Sequence, residues 1–399
     1  MVAAARNNRE VTALLCIDQS AAFNLVKSSI IISKLRIFGV MESALLMIES
    51  YLTGRSTVCT VGSATSSPVK LQSGVGEGSV VGPLFFVATL CDVSVVAERS
   101  MTRLGRDYGL DVLIRLIAYA DDISAVVIGD TEAEVQLAVE VVMEEFLEYF
   151  SSAGLSMNPE KSELVVFRRS RQGQELHVGG QSESTKCKLL GVVVEKGYGF
   201  ESHTIQVAAS VKSKVEKLSE VMKLLDYQRR KRITEAIVLS TVTYCLAIWG
   251  FRRKGRKRCQ KSLNHAVRMI LGTDARSSIT DGLAYLDWLN MDNLWRLEQI
   301  SAMRRIISTR VPESVFAIVT GRTGGRYMIC SDGLRSSWWP RNCHGENAFV
   351  NLAVETYNDL RVSQRIWYND VERRAMTKSE VRAVLKKDLV NHYQNANLH

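Results

Sequence analysis

The sequence predicts an α/β domain, an α+β arrangement with a central antiparallel sheet, followed by a mostly helical region. Three observations predict it. Up to residue 199, short runs that are apolar on both faces alternate with segments of helical period. From about residue 200 the period is almost entirely helical. Two adjacent acids, Asp121 and Asp122, interrupt an apolar stretch where a chain reversal is expected.

Taken in order, "VTALLCID" (11–18) is apolar on both faces and ends in an acid, so it reads as a buried central strand. "AFNLVKSSIIISKLRIFG" (22–39) reads as one helix closed by Gly39. Two β-rich runs about a small-residue loop predict a hairpin over 55–74. "GSVVGPLFFVATLCDVSVVAE" (78–98), with its early Pro83, reads as a largely buried helix. "LIRLIAYADDISAVVIGD" (113–130) predicts strand, turn and strand, with Asp121 and Asp122 at the turn. Thr131 and Glu134 form a capping-box pattern. The helix they open carries the stripe Val135, Val139, Val142, Phe146 and Phe150 and ends at Gly154. "SELVVF" (162–167) and "KLLGVVVE" (188–195) read as strands. Helices are predicted over 201–225, 229–250, 261–272 and 293–308. The stretch 311–375 is irregular, and a last helix is expected from Thr377, where Glu380 completes a second capping box. The expected divisions are 1–199, 200–310 and a C-terminal region, 311–399, of no assigned role.

The 399 residues are 46% hydrophobic and 23% charged, ordinary values for a globular chain. The longest apolar run, 241–251, falls short of the ~20 residues a bilayer needs. The N-terminus lacks an apolar signal core, so no membrane partner and no secretion are expected, and the location is intracellular, nuclear or cytoplasmic. Eight scattered cysteines without a C-x-x-C pair suit a reducing compartment. Cys330, Cys343 and His344 could form part of a zinc site, although the spacing lacks a second close pair. The net charge of +9 favours an acidic partner, most commonly nucleic acid. It concentrates in two runs, Arg229, Arg230, Lys231 and Arg232, then Arg252, Arg253, Lys254, Arg256, Lys257 and Arg258. The second could be a nuclear-localisation patch, a phosphate-backbone contact or a solvated loop, the last two weighing equally.

Asp18 ends one buried strand, and Asp121 and Asp122 sit at the tip of a hairpin of two others. If these strands are neighbours, three carboxylates meet at one sheet edge, an arrangement unstable without cations. Two divalent ions about 3.5–4 Å apart would neutralise them and clamp an in-line phosphoryl transfer. Mg²⁺ suits oxygen ligands that leave room for waters and phosphates. Taken alone, however, an Asp pair is more readily a turn.

The ordered set of motifs resembles the reverse transcriptase of non-LTR, LINE-like retrotransposons. "YADD" (119–122) resembles the family's Y-x-D-D signature, and "LLCIDQSAAFNLV" (14–26) its first-aspartate motif. "GVGEGSVVGPLFF" (74–86) resembles Gly-Val-Pro-Gln-Gly-Ser-x-x-Gly-Pro, and "GLSMNPEKSELVVF" (154–167) resembles Gly-Leu-x-x-Asn-x-x-Lys. "KLLGVVVE" and "FESHTIQVAASVKSKVEKL" (200–218) resemble the primer-grip strand and the thumb entrance, and likeness continues to about residue 310. The resemblance implies a palm with a finger-like hairpin near 55–74, then a thumb, catalysing two-metal nucleotidyl transfer onto a primer 3′-hydroxyl. It implies an RNA template, a DNA primer and dNTPs as partners, and two Mg²⁺, or Mn²⁺ in their place, on Asp18, Asp121 and Asp122. Phe23 falls at the steric gate, Tyr119 beneath the primer end, and Gly78, Gly82 and Pro83 where backbone approaches template and nucleotide. Lys161 falls where the pyrophosphate leaving group is stabilised or protonated, and the two basic runs would track the template–primer backbone.

Three positions depart from the pattern. Glu77 stands where the family has the Gln that touches the incoming nucleotide, and its carboxylate would repel a triphosphate. Gly76 replaces Pro, and Asn24 replaces the second Asp of Ala-Phe-Asp. Few residues precede Asp18, so the fingers strands and an endonuclease domain are expected to be missing, as in an N-terminally truncated copy. Two alternatives therefore stand beside the polymerase: an inactive remnant that still binds nucleic acid, and an interaction protein that kept only the helical half.

Overall fold

The computed structural model of the chain describes residues 11–310, apart from 20, 21, 77, 169–172, 174, 197 and 198, together with 368, 369, 374, 375, 380 and 383. Glu77, the helix start at Thr377 and the group Cys330, Cys343 and His344 lie outside the described residues. The chain divides into two compact units, Met1–Gly191 and Val192–His399.

In the first unit the longer strands are β1 (Val11–Ile17), β6 (Leu113–Tyr119), β7 (Asp122–Gly129) and β8 (Glu163–Phe167); β2 (Ser56–Thr57), β3 (Thr60–Val61), β4 (Ala64–Thr65) and β5 (Val69–Lys70) lie between the first two. The four longer strands form one sheet in the order β6-β7-β1-β8, every neighbouring pair antiparallel. The helices are α1 (Ala22–Leu25), α2 (Ser28–Ile37), α3 (Glu42–Leu52), α4 (Gly82–Thr89), α5 (Ser94–Tyr108) and α6 (Glu132–Ser152). Side chains alternate across a strand, so Ala13, Leu15 and Ile17 share a face with Ile123, Ala125 and Val127 and enter a core with the α6 stripe. The stripe residues Val135, Val139, Val142, Phe146 and Phe150 are all buried. On the opposite face Leu14, Val126 and Val165 are also buried, and β11 (Lys186–Leu189) packs against β1 and β8. Between β8 and β11 a short pair, β9 (His177–Val178) and β10 (Gln181–Ser182), completes the unit. Both faces of β1 are thus covered, which is why its sequence does not alternate. At the start of α6, the Thr131 hydroxyl accepts the Glu134 N–H at 3.2 Å, while the Glu134 carboxylate accepts the Asp130 N–H at 3.0 Å. A cap of this kind contributes about 1 kcal/mol.

The predicted helix 22–39 is two helices. Lys27 is extended (φ −83°, ψ 130°) because the carbonyls before it bind elsewhere. Phe23 O accepts from Val75 N (2.9 Å), Val26 O from Gly74 N (2.7 Å), and Asn24 O from the Ser73 hydroxyl (2.9 Å). The predicted helix 78–98 likewise divides into α4 and α5, and α3 carries no cap signal in the sequence. The hairpin over 55–74 forms as two nested ladders, β2 with β5 and β3 with β4. The strand predicted over 188–195 is cut by a turn at Leu190 (φ 45°) and Gly191 (φ 82°), leaving β11 before it and β12 (Val192–Glu195) after it.

The second unit is helical: α7 (Glu201–Met222), α8 (Tyr227–Thr234), a π-helical turn at Glu235–Leu239, α9 (Ser240–Thr243), α10 (Leu246–Trp249), α11 (Arg253–Leu271), α12 (Ile279–Leu286) and α13 (Met291–Thr309). Its core joins Val211, Trp249, Leu263, Val267, Leu286, Leu297 and Ile300. The helix predicted over 229–250 breaks at Tyr244 and Cys245 (φ 51°), where the Trp249 indole donates to the Tyr244 carbonyl at 2.7 Å. The basic run 252–258 is the opening of α11 rather than a loop. No described helix is long and apolar enough to cross a membrane.

Candidate active site

β6 and β7 join through a two-residue turn, Ala120–Asp121, closed by the pair Tyr119 and Asp122. Ala120 is left-handed (φ 51°), and Asp122 opens β7 rather than sitting in the turn. On the other side of β7, Cys16 faces Ser124 and Ile17 faces Ile123, so the next register position sets Asp18 against Asp122. Opposed residues of an antiparallel pair share a face with Cβ atoms roughly 5 Å apart. Asp18 is half-buried, while Asp121 and Asp122 are exposed. No hydrogen bond or ion pair to these three carboxylates occurs among the described residues.

Two further segments are fastened to the same sheet end. Asn158 N donates to Asp18 O at 3.1 Å, and Gln19 bridges Met157. Asn158 also caps the 3₁₀ turn Pro159–Lys161 by accepting from Glu160 N at 3.1 Å, leaving Lys161 exposed beyond it. The loop before α4 is tied to α1 by the three bonds that break the helix. Arg55 braces it, donating to the carbonyls of Gly74 and Leu52. No sequence signal marks Arg55; its role depends on where two loops meet. Within the loop Gly78 is left-handed (φ 77°), and a Cβ at Gly82 would lie 2.9 Å from Gly76 O. Phe23 is half-buried, its ring stacked on Phe86 at 4.5 Å between centroids. Tyr119 is 68% exposed beside the acid turn.

Beneath the carboxylates lie two thiols. The influence of Cys187 holds the Cys16 thiol below its usual range against the effect of burial, and that of Cys16, with burial, pushes Cys187 up. The Ser124 hydroxyl also reaches Cys16 Sγ at 3.6 Å.

The basic residues of the second unit fall into two groups. Arg256 is buried (8% exposed): its guanidinium pairs with Asp292, donates to the Gly250 and Phe251 carbonyls, and lies over the Trp295 ring at 4.3 Å. Arg258 pairs with Glu201 at 2.7 Å and Thr204 at 2.9 Å, and Lys254 lies 3.5 Å from Glu201. The Arg258 bond holds the Glu201 carboxyl below its usual range. Arg230 donates to Leu225 O, Arg229 pairs with Asp226, Lys231 with Glu235, and Arg252 leans over Phe251. Arg232, Arg253, Lys257 and Lys261 are exposed, with no ion pair among the described residues. The last three recur at every fourth position, so they form one ridge on α11 about 12 Å long.

Residues 2–194 match the family model for reverse transcriptase (RNA-dependent DNA polymerase). The chain carries a reverse transcriptase domain of the LINE-like, non-LTR kind. Over 210 residues it is 24% identical to the RNA-directed DNA polymerase from mobile element jockey of Drosophila funebris, covering 51% of this chain and 22% of that protein. Over 257 residues it is 23% identical to a retrovirus-related Pol polyprotein from type-1 retrotransposable element R1 of Nasonia vitripennis, covering 58% and 59%. The chain thus spans about a quarter of the jockey polymerase and, at 25%, of the X-element polymerase of Drosophila melanogaster. The likeness to apo telomerase from Candida Tropicalis is weak, at 10% identity and a TM-score of 0.39 over 79% of this chain and 54% of that one.

The reverse transcriptase family uses divalent metals. All-oxygen donors with no cation of their own suit such an ion chemically. Among the described residues no three His, Cys, Asp or Glu side chains form a ready-made ligand group, so the remaining ligands would be waters and phosphates.

Proposed function

We propose that this chain houses the nucleotidyl-transfer site of an RNA-directed DNA polymerase, extending a DNA primer 3′-hydroxyl with deoxynucleotides on an RNA template. The observation that supports it is the uncompensated acid group at one sheet end: Asp18 in register with Asp122, and Asp121 in the adjoining turn. In this reading Asp18, Asp121 and Asp122 hold divalent cations, two Mg²⁺ or Mn²⁺ in their place. Bound there, the cations would neutralise phosphate charge and sharpen the 3′-hydroxyl as a nucleophile. The chain's own residues do the rest. Phe23, braced by Phe86, excludes a 2′-hydroxyl, and Tyr119 supports the primer end beside the acid turn. The braced loop with Gly78 and Gly82 lets backbone approach the nucleotide. Lys161, on its capped turn, gives a proton to the leaving pyrophosphate oxygen. Arg232, Arg253, Lys257 and Lys261 hold phosphate backbone without reading sequence.

Primer extension on an RNA template with Mg²⁺ and deoxynucleotides tests this. Extension by the intact chain that disappears in Asp121→Ala supports the reading. A second reading, a nucleic-acid-binding remnant, draws on the lack of a three-ligand group and on Glu77 in the nucleotide loop. Salt-sensitive binding of primer–template without any extension would favour it.

A further inference from the structure

Arg55, just after α3, directs its guanidinium to carbonyl oxygens. Nε donates to Leu52 O at 3.1 Å, on the closing residue of α3, where the helix dipole is negative. Nη2 donates to Ser73 O at 3.4 Å and to Gly74 O. No ion pair of Arg55 occurs among the described residues, so these carbonyls are what anchors it. The strip it holds grips α1 in turn. The Ser73 hydroxyl, Gly74 N and Val75 N bind the carbonyls of Asn24, Val26 and Phe23. The approach is tight: Gly74 is left-handed (φ 87°), and a Cβ there would lie 2.9 Å from Asn24 O. Past Val75, which is buried, the chain enters the turn in which Ser79 N donates to Gly76 O at 3.1 Å, and then α4. α4 carries Phe86, the ring on which Phe23 stacks. The strip thus fixes the Phe23 backbone directly and leads to the helix that seats its ring.

We propose that Arg55 is a positioning residue for sugar selection at the nucleotide site, an inference that rests on the polymerase reading. Arg55 touches no substrate in this role. Its fork holds Ser73, Gly74 and Val75 at one height along α1, and so sets where the Phe23 ring stands. A ring that rejects a 2′-hydroxyl does so by steep short-range repulsion, so a retreat of a fraction of an ångström weakens the rejection. Lysine cannot replace the arginine, because one ammonium group does not supply two donors in a fixed fork.

The test compares the intact wild-type chain with Arg55→Lys and Ser73→Ala in single-nucleotide primer extension on an RNA template with Mg²⁺. Each is offered a deoxynucleoside or a ribonucleoside triphosphate, and primer–template binding is measured in parallel. Arg55→Lys should lower the ratio of kcat/KM for the deoxynucleotide to that for the ribonucleotide about 10-fold, the scale of a sub-ångström misplacement. Its primer–template Kd should stay within about 2-fold of wild type. Ser73→Ala removes one hydroxyl from the same junction and should shift the ratio the same way, by roughly 3-fold. An arginine that only stabilised the fold would lower both rates together, and an unmoved ratio in both variants overturns the proposal. Should Arg55→Lys fail to fold, the milder Ser73→Ala decides the matter alone by the same ratio. A wild-type chain that extends no primer overturns the polymerase reading and this inference with it. A wild-type chain that extends, beside variants with an unmoved ratio, overturns this inference alone.

Discussion

The sheet end and the start of α11 treat charge in opposite ways. Asp18, Asp121 and Asp122 fall at one sheet end with no ion pair or hydrogen bond to their carboxylates among the described residues. Arg256, set in an equally conspicuous charged run, is answered on every side by Asp292, two carbonyls and the Trp295 ring. A compensated charge belongs to the fold, because losing it orphans its partners. Uncompensated acids cost the fold something and are left open to a cation.

The sharpest way to break that contrast is Asp121→Ala. It should lower primer extension by on the order of 10³-fold, the several kcal/mol carried by a metal-binding carboxylate. Thermal stability should hold or rise slightly, since like charges are relieved; a clear fall would make the acid structural. Arg256→Ala should do the reverse, costing about 2–3 kcal/mol of unfolding free energy in denaturant titrations. That figure sits below the fully buried case because Asp292 is half-exposed. Unchanged stability would overturn the assignment of Arg256 to the interior.

Reversing the free ridge with Arg253→Glu, Lys257→Glu and Lys261→Glu should weaken primer–template binding roughly 10–30-fold and flatten its salt dependence. Stability should move by no more than about 0.5 kcal/mol. Equal loss from Arg258→Gln would blur the line between paired and free cations.

The smallest effect comes from His203, a buried ring whose Nδ1 accepts the Val193 N–H at 3.3 Å and whose Nε2 has no partner. Burial lowers its pKa from the ordinary 6.5, so the unfolded chain takes up the proton first as pH falls. Stability should be full above about pH 6.5 and decline below it, until the lower folded value is reached. His203→Leu should flatten that limb of a pH–stability curve.

Much of the fold was legible in the residues. Unbroken apolarity marked β1 as doubly covered, and the Thr131 cap with its stripe marked α6. The acid pair inside an apolar run marked the hairpin, and the helical period marked the second unit. The breaks were not legible. Helix 22–39 divides because Ser73, Gly74 and Val75 claim its carbonyls, and helix 229–250 because an indole claims Tyr244 O. Neither claim leaves a trace in local propensity.

The candidate site divides the same way. By itself the sequence determined which acids, aromatic rings and basic runs exist and in what order, because residue type and local period are written along the chain. Only the tertiary structure decided that Asp18 faces Asp122, that Arg55 braces the glycine loop, and that Arg256 is spent inside while Lys257 is free. Those are matters of register and burial between distant segments, and an electrostatic role follows from the surroundings of a charge rather than from its presence.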